Sequence, residues 1–334
     1  MEKRRCGNSD IEVSVLGIGA WPFGGTNGDY WGPQDQKDVD RVVRAALDRG
    51  TNLFDTAEIY NGGRSEESLG KALGGRRAEA VIETKIAPSN CSPAAIREHC
   101  DASLRRLKTD CIDIYLVHWP VRDFPVPGVF ETLAALQRDG KIRSIGVSNF
   151  GVRQLTEALQ TGARIDVNQM HYSLFARAIE IDVVPLCLQH DVGVEAYMPL
   201  LQGLLAGKYK SADEIPQNRR RTRHFNGHRP GCQHGEPGAE KECFEALAEI
   251  RGIAEREGLT MSDLALGWTA AKPGIVSVLV GVRNMRQLEA NTRGCSLKLA
   301  PDLIAELDRL TDPVLQKLGS NPDYWQGGQN ARIC

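Results

Sequence analysis

The sequence predicts an α/β fold, a (β/α)₈ barrel with an N-terminal β-hairpin, a long loop after the seventh barrel strand, and a C-terminal helix and tail. Three observations predict it. Eight short apolar runs recur, most at intervals of about 25 to 40 residues, with helical patterns between them. Several runs are continuous in Val, Ile and Leu rather than alternating, as strands covered on both faces require. No linker, repeat or compositional break divides the 334 residues, so residues 1–334 read as a single domain, a length that a barrel accommodates around one core.

Taken in order, the strands are expected at Leu16–Trp21, Asn52–Ala57, Ala80–Ile86, Ile112–Trp119, Ile142–Asn149, Asp166–Tyr172, Val194–Pro199 and Val276–Val282. Ahead of them, Lys3–Cys6 and Glu12–Val15 flank Asn8-Ser9-Asp10 as a hairpin. Helices are expected at Gln36–Arg49, Ser65–Leu73, Pro93–Leu107 and Gly151–Thr161. Ser92-Pro93 supplies an N-cap followed by proline at the first helical position, and Gly50 and Gly162 stand where helices should stop. From Lys208 to Glu240 no apolar periodicity is visible, and the stretch carries Arg219, Arg220, Arg221, Arg223, His224, His228, Cys232 and His234. Loops this long are usually functional or disordered, so a mobile solvated loop and a basic lid are both open readings.

Composition narrows the class. The chain is 41% hydrophobic and 25% charged with a net charge of −2, which gives no electrostatic case for a nucleic-acid or membrane partner. Nine cysteines form no CxxC pair, and no apolar stretch follows the charges of Met1–Cys6, so reduced thiols and a cytoplasmic location are expected. His224, His228, Cys232 and His234 match no zinc spacing, and no metal is expected. Gly203–Lys208 looks superficially like a phosphate loop but is one residue short and lacks Ser or Thr after the lysine, which excludes nucleotide hydrolysis.

Chemistry in such a barrel sits at the carboxyl ends of the strands. The second strand ends near Asp55 and leads to Tyr60, the third ends at Lys85, and the fourth at His118-Trp119. Neighbouring strands lie ~4.8 Å apart, so these side chains can converge. Each alone has a structural explanation: a helix cap, an ion pair, a satisfied histidine. Together they suit carbonyl reduction. The alkoxide left by hydride addition needs a proton; tyrosine can give it, a buried lysine would lower the tyrosine pKa from ~10, Asp55 would keep that lysine charged, and His118 could orient the carbonyl.

At these residues the chain resembles the aldo-keto reductase superfamily, in the branch that includes bacterial general reductases and potassium-channel β subunits. The resemblance lies in Phe54–Tyr60, Glu67–Gly70, Thr84-Lys85, the His118 segment, Gly146–Phe150, Asn168-Gln169, Ala196-Tyr197 and Gly281–Asn291. It implies Asp55, Tyr60, Lys85 and His118 as the catalytic set, with Tyr60 the general acid/base, and NADPH/NADP+ as cofactor. Ser148, Asn149 and Gln169 would hold the nicotinamide carboxamide and Tyr197 would stack on the ring. Gly19, Ala20 and Trp21, with Asp55, would line the cleft. Pro199, Leu200, Gly203, Lys208 and Arg219 would meet the pyrophosphate, and Gly281, Arg283, Gln287 and Asn291 the adenosine and 2′-phosphate. The resemblance is imperfect at Met198, where many relatives carry serine, and at Ala290, where glutamate is common.

Trp21, Phe23, Tyr60, His118 and Trp119 are the candidate substrate pocket, with Tyr30, Trp31, Tyr324 and Trp325 beside them. The expected partner is a small carbonyl or alcohol, and a homo-oligomer is compatible with the sequence. Two other functions fit the same barrel: a cofactor-binding regulatory subunit with little turnover, and an aldolase or isomerase using Lys85 as a Schiff-base nucleophile.

Overall fold

The computed structural model covers residues 1–334. Strands β1 (Lys3–Arg5) and β2 (Glu12–Ser14) pair antiparallel as the hairpin. Eight parallel strands follow: β3 (Leu16–Gly19), β4 (Leu53–Asp55), β5 (Val81–Ile86), β6 (Ile112–Val117), β7 (Ile142–Ser148), β8 (Ile165–His171), β9 (Gly193–Tyr197) and β10 (Ile275–Gly281). They close in sequence order, β10 pairing with β3, so the barrel has no free edge.

Helices α1 (Gln36–Asp48), α2 (Arg64–Leu73), α3 (Pro93–Leu107), α4 (Val126–Arg138), α5 (Val152–Gln160) and α6 (Val183–Gln189) alternate with the strands. Helices α7 (Glu240–Glu257) and α8 (Met261–Ala271) precede β10, and α9 (Met285–Ser296) and α10 (Pro301–Leu318) close the chain before the tail. Ser92 accepts from the Ala95 amide at the start of α3, and Gly50 and Gly162 take left-handed φ values of 78° and 81° beyond α1 and α5.

Several strands end one or two residues before the apolar runs do. The residues beyond, among them Trp21, His118 and Met198, turn away as the loops that build the mouth; Met198 itself has φ of 56°.

Side chains entering the barrel alternate with a period of two and form layers. Lowest is an apolar plug of Leu53, Val81 and Val167, continuous with Cys6, Ile11 and Val13 of the hairpin, which closes the amino-terminal end. One step up, the same faces carry Asp55, Glu83, Gln169 and Glu195, all buried. Above these stand Lys85, His118, Ser148, His171 and Tyr197. The outer faces of the strands pack on the helices in the main core with Leu16, Phe54, Ile82, Tyr115, Ile145 and Val194. No helix is long and apolar enough to cross a membrane.

Candidate active site

The strand ends bring the four predicted groups together. Lys85, fully buried, forms an ion pair with Asp55 on the adjoining strand and donates to the Thr56 carbonyl at 2.7 Å. Its ammonium lies 5.0 Å from the centroid of the Tyr60 ring. The His118 ring stands edge-on to Tyr60 at 5.6 Å.

The turn bearing Tyr60 is held in place by its neighbour. Asn61 adopts φ of 52° and donates from Nδ2 to the carbonyls of Trp21 and Phe23 at 2.8 and 2.9 Å. Asparagine tolerates this left-handed geometry better than bulkier residues do. The same bonds place Trp21 flat against Tyr60 at 5.3 Å, and Tyr30 stacks on the far side of Trp21 at 5.0 Å. Trp31 meets Trp21 edge-on.

Electrostatics fix the protonation states. Burial alone would lower the Lys85 pKa, but Asp55, with Tyr60 and Glu83, raises it overall, so the group is an ammonium. That state is no Schiff-base nucleophile. Burial pushes Tyr60 up to about 12 even though Lys85 pulls the other way. The lowering expected from the lysine is therefore present but outweighed, and Tyr60 is a hydroxyl across the neutral range. Burial, then the Lys85 charge, depresses His118 well below the usual imidazole range, so its ring is neutral.

Residues 15–312 match the aldo/keto reductase family. The chain belongs to it. Among its relatives, an aldo-keto reductase of Bacillus subtilis, YhdN, is 35% identical over 87% of each chain. The NADH-specific methylglyoxal reductase of Escherichia coli is 32% identical over 95% of this chain and all of its own. A probable voltage-gated potassium channel β subunit of Arabidopsis thaliana is 29% identical over 98% of this chain and all of its own. The aldo-keto reductase of Klebsiella pneumoniae, solved in complex with NADPH, superposes with a TM-score of 0.73 at 27% identity, over all of this chain and 99% of that one. The chain is thus an oxidoreductase of this family by descent.

In this aldo/keto reductase family member the strand ends leave space at the mouth of the barrel. Gly281 pairs with Gly19, and Gly19 with Asp55, so two residues without side chains leave the mouth open between β10 and β4. A Cβ on Gly281 would meet nothing within 4 Å. Ala20 is buried, and its carbonyl accepts from Ser65. Across the barrel, Asn149 (φ 62°) donates to the His118 carbonyl and to Ser148 Oγ, and accepts from the Tyr197 hydroxyl at 2.7 Å. His171 stacks under Tyr197 at 5.3 Å, which presents the ring's other face to the cleft. Beyond β9, Pro199 and Leu200 enter a tight turn in which Lys208 folds over Gly203. At α9 the Asn284 side chain caps the Gln287 amide, while Gln287 accepts from the Arg283 amide. The Asn291 Nδ2 is buried with no partner. Open strand ends, one free aromatic face and an orphaned amide fit a nicotinamide dinucleotide.

Four expectations change. Phe23 is fully buried in the main core, because the Asn61 bonds turn its backbone toward the mouth and its ring inward, so it lines no pocket. Tyr324 is likewise buried, stacked on His224 with its hydroxyl accepting from the Ala178 amide; it anchors the tail. The tail also lays Arg332 over the Trp119 ring at 3.7 Å, which leaves Trp119 only half available. The basic loop is not free. Arg223 is buried among Glu236 and the Leu318 and Asn321 carbonyls, Arg229 pairs with Asp213 and Glu240, and His224 bonds the Phe175 carbonyl. Only Arg219 and Arg221 of the run face the mouth, over Trp31 and Tyr30.

Arg283, expected at the 2′-phosphate, bonds Gln34 and the carbonyls of Trp31 and Pro33, tying α9 to the aromatic loop. Sequence reading passed over Glu83, Glu195 and His171. The signal was available: each lies two residues from a predicted site residue on the same strand, hence on the same face.

Proposed function

We propose that this protein interconverts aldehydes or ketones and alcohols with a nicotinamide dinucleotide, preferring NADP(H), and that Tyr60 is its proton donor and acceptor. One observation carries the reading: a half-buried tyrosine, a lysine held charged by Asp55, and a neutral histidine meet at the carboxyl rim of the barrel. A dinucleotide held there would supply or accept the hydride. Tyr60 gives its hydroxyl proton to the oxygen that gains charge, and the Lys85 ammonium beside it stabilises the resulting phenolate. His118, neutral, donates a ring N–H to the same oxygen and orients it. Trp21 and the half-covered Trp119 shape the entrance, and the Ser148, Asn149 and Gln169 group on the opposite wall is placed to hold a carboxamide. Arg283 supports the preference for the phosphorylated cofactor; a guanidinium there can exchange its carbonyl partners for a phosphate.

A panel of carbonyls and polyols followed by nicotinamide absorbance, with both cofactors, tests the activity. Tyr60→Phe keeps the ring and removes the proton, so a single-turnover reduction of a reactive aldehyde should slow by ~10²–10⁴-fold while cofactor still binds. Reduction at the unmutated rate would overturn the assignment.

A further inference from the structure

Beneath Lys85 and Tyr60 the barrel holds a layer that the mechanism does not use. Glu83 on β5 and Glu195 on β9 are both fully buried and share one donor, the side-chain amide of Gln169. Gln169 on β8 lies between them and the tetrad: its amide donates to Glu83, to Asp55 at 3.0 Å and, more distantly, to Glu195 at 3.4 Å. Yet Glu83 Oε2 and Glu195 Oε1 have no donor at all. Two ionised carboxylates could not face each other here, because both charges would be desolvated and opposed. One proton placed between them removes a charge and gives an orphaned oxygen a partner.

We infer that Glu83 and Glu195 share one proton as an acid–carboxylate pair, and that the charge on this pair positions Gln169 and governs the acidity of Tyr60. The inference rests on the reading of Tyr60 as proton donor. The groups facing the pair are few. Asp55 and Lys85 lie above, with Tyr60 beyond them, and the Cys6 thiol rises from the hairpin below, with Asp166 near it. Gly17, Leu116, Gly146 and Leu279, which complete the inner surface, carry no charge. Burial raises Glu83 well above the carboxylate range and Glu195 up to about 7. As pH rises through about 7 the pair passes from two protons to the single one it shares and gains a negative charge, which opposes formation of the Tyr60 phenolate. Tyr60 therefore remains a proton donor to higher pH, and carbonyl reduction persists where alcohol oxidation would otherwise take over. Glu83 and Glu195 are positioning residues: neither touches substrate.

The test uses the full chain with Glu83→Gln, Glu195→Gln, the double variant and Glu83→Asp. Infrared difference spectra scanned over about pH 5 to 9 should show the carbonyl stretch of a buried protonated carboxyl. Either single glutamine variant should abolish it, since the amide replaces the shared proton, and Glu83→Asp should restore it. In the double variant the basic limb of the reduction profile should move about one unit to lower pH. A band missing from the unmutated protein, or surviving in both single variants, overturns the shared proton. An unmoved limb in a folded double variant overturns the link to Tyr60. If instead Tyr60→Phe keeps full activity while the band behaves as expected, the pair stands and the reading of Tyr60 is what fails.

Discussion

Tyr60 is kept neutral by burial and made useful by the charge beside it, so its neighbours should be felt mainly through the proton-transfer step. Lys85→Met should slow single-turnover reduction about as much as Tyr60→Phe, by ~10²-fold or more. The double variant should lose far less than the product of the two, since both act on one proton. Multiplicative losses would mean that Lys85 serves only to pair with Asp55. Arg283 allows a second residue-scale expectation. Its guanidinium already bonds three acceptors, so the net gain from a 2′-phosphate is the difference between two sets of partners. Arg283→Ala should weaken NADPH by about tenfold and NADH much less, as titrated by quenching of intrinsic fluorescence. Equal losses would assign the arginine to holding the Trp31–Gln34 loop alone.

Among the elements, the segment after β9 divides into two parts with different expected dynamics. Residues 222–239 are docked through Arg223, whose side chain is only 6% exposed, and through His224. Their amides should resist hydrogen exchange without cofactor. Residues 212–221, which end in Arg219 and Arg221 over two aromatic rings, should exchange quickly and slow when NADPH is added. Uniform fast exchange from 208 to 240 would contradict this division. Arg223→Ala strands Glu236 and two carbonyls and should cost ~3–5 kcal/mol in chemical denaturation. The turn before that segment depends on a glycine: Gly203 has φ of 101°, and a Cβ there would sit 3.2 Å from Lys208 Cδ. Gly203→Ala should therefore displace Lys208 and weaken the dinucleotide by roughly tenfold, with a smaller effect on Tm.

For the whole molecule, buried ionisable groups tilt stability with pH in opposing senses. Burial depresses His118, His171 and His224, the last to about 4. Unfolded imidazoles titrate near ~6.5, so the stability these residues contribute is complete above that pH. It is lost as pH falls toward 4, at up to ~1.4 kcal/mol per pH unit for each proton refused. Glu83 and Glu195 act the other way. Their unfolded forms ionise from ~4.3 upward while the folded pair retains its protons, so stability falls as pH rises, until about 7 where Glu195 lets go. Glu195→Gln should thus stabilise the protein more at pH 7 than at pH 5, read as the shift in denaturant midpoint. An equal shift at both pH values would place the glutamate outside this linkage.

Sequence alone determined the barrel, its eight strands and its hairpin, because an apolar run bounded by turn residues constrains local backbone wherever it lies. It also determined that Asp55, Tyr60, Lys85 and His118 come together, since strand ends in a closed parallel barrel face one rim. Tertiary structure decided the rest. Phe23 and Tyr324 read like any mouth aromatic until Asn61 and Ala178 turn them inward. The arginines of the long loop read as a free basic lid until the loop folds back on itself and brings Glu236, Asp213 and Glu240, 11 to 16 residues away, to pair with them. Glu83 and Glu195, separated by more than a hundred residues, become a proton-sharing pair only when β5 and β9 face each other across the barrel. Charge pairing depends on distance through space, and spacing along the chain sets that distance only within one element.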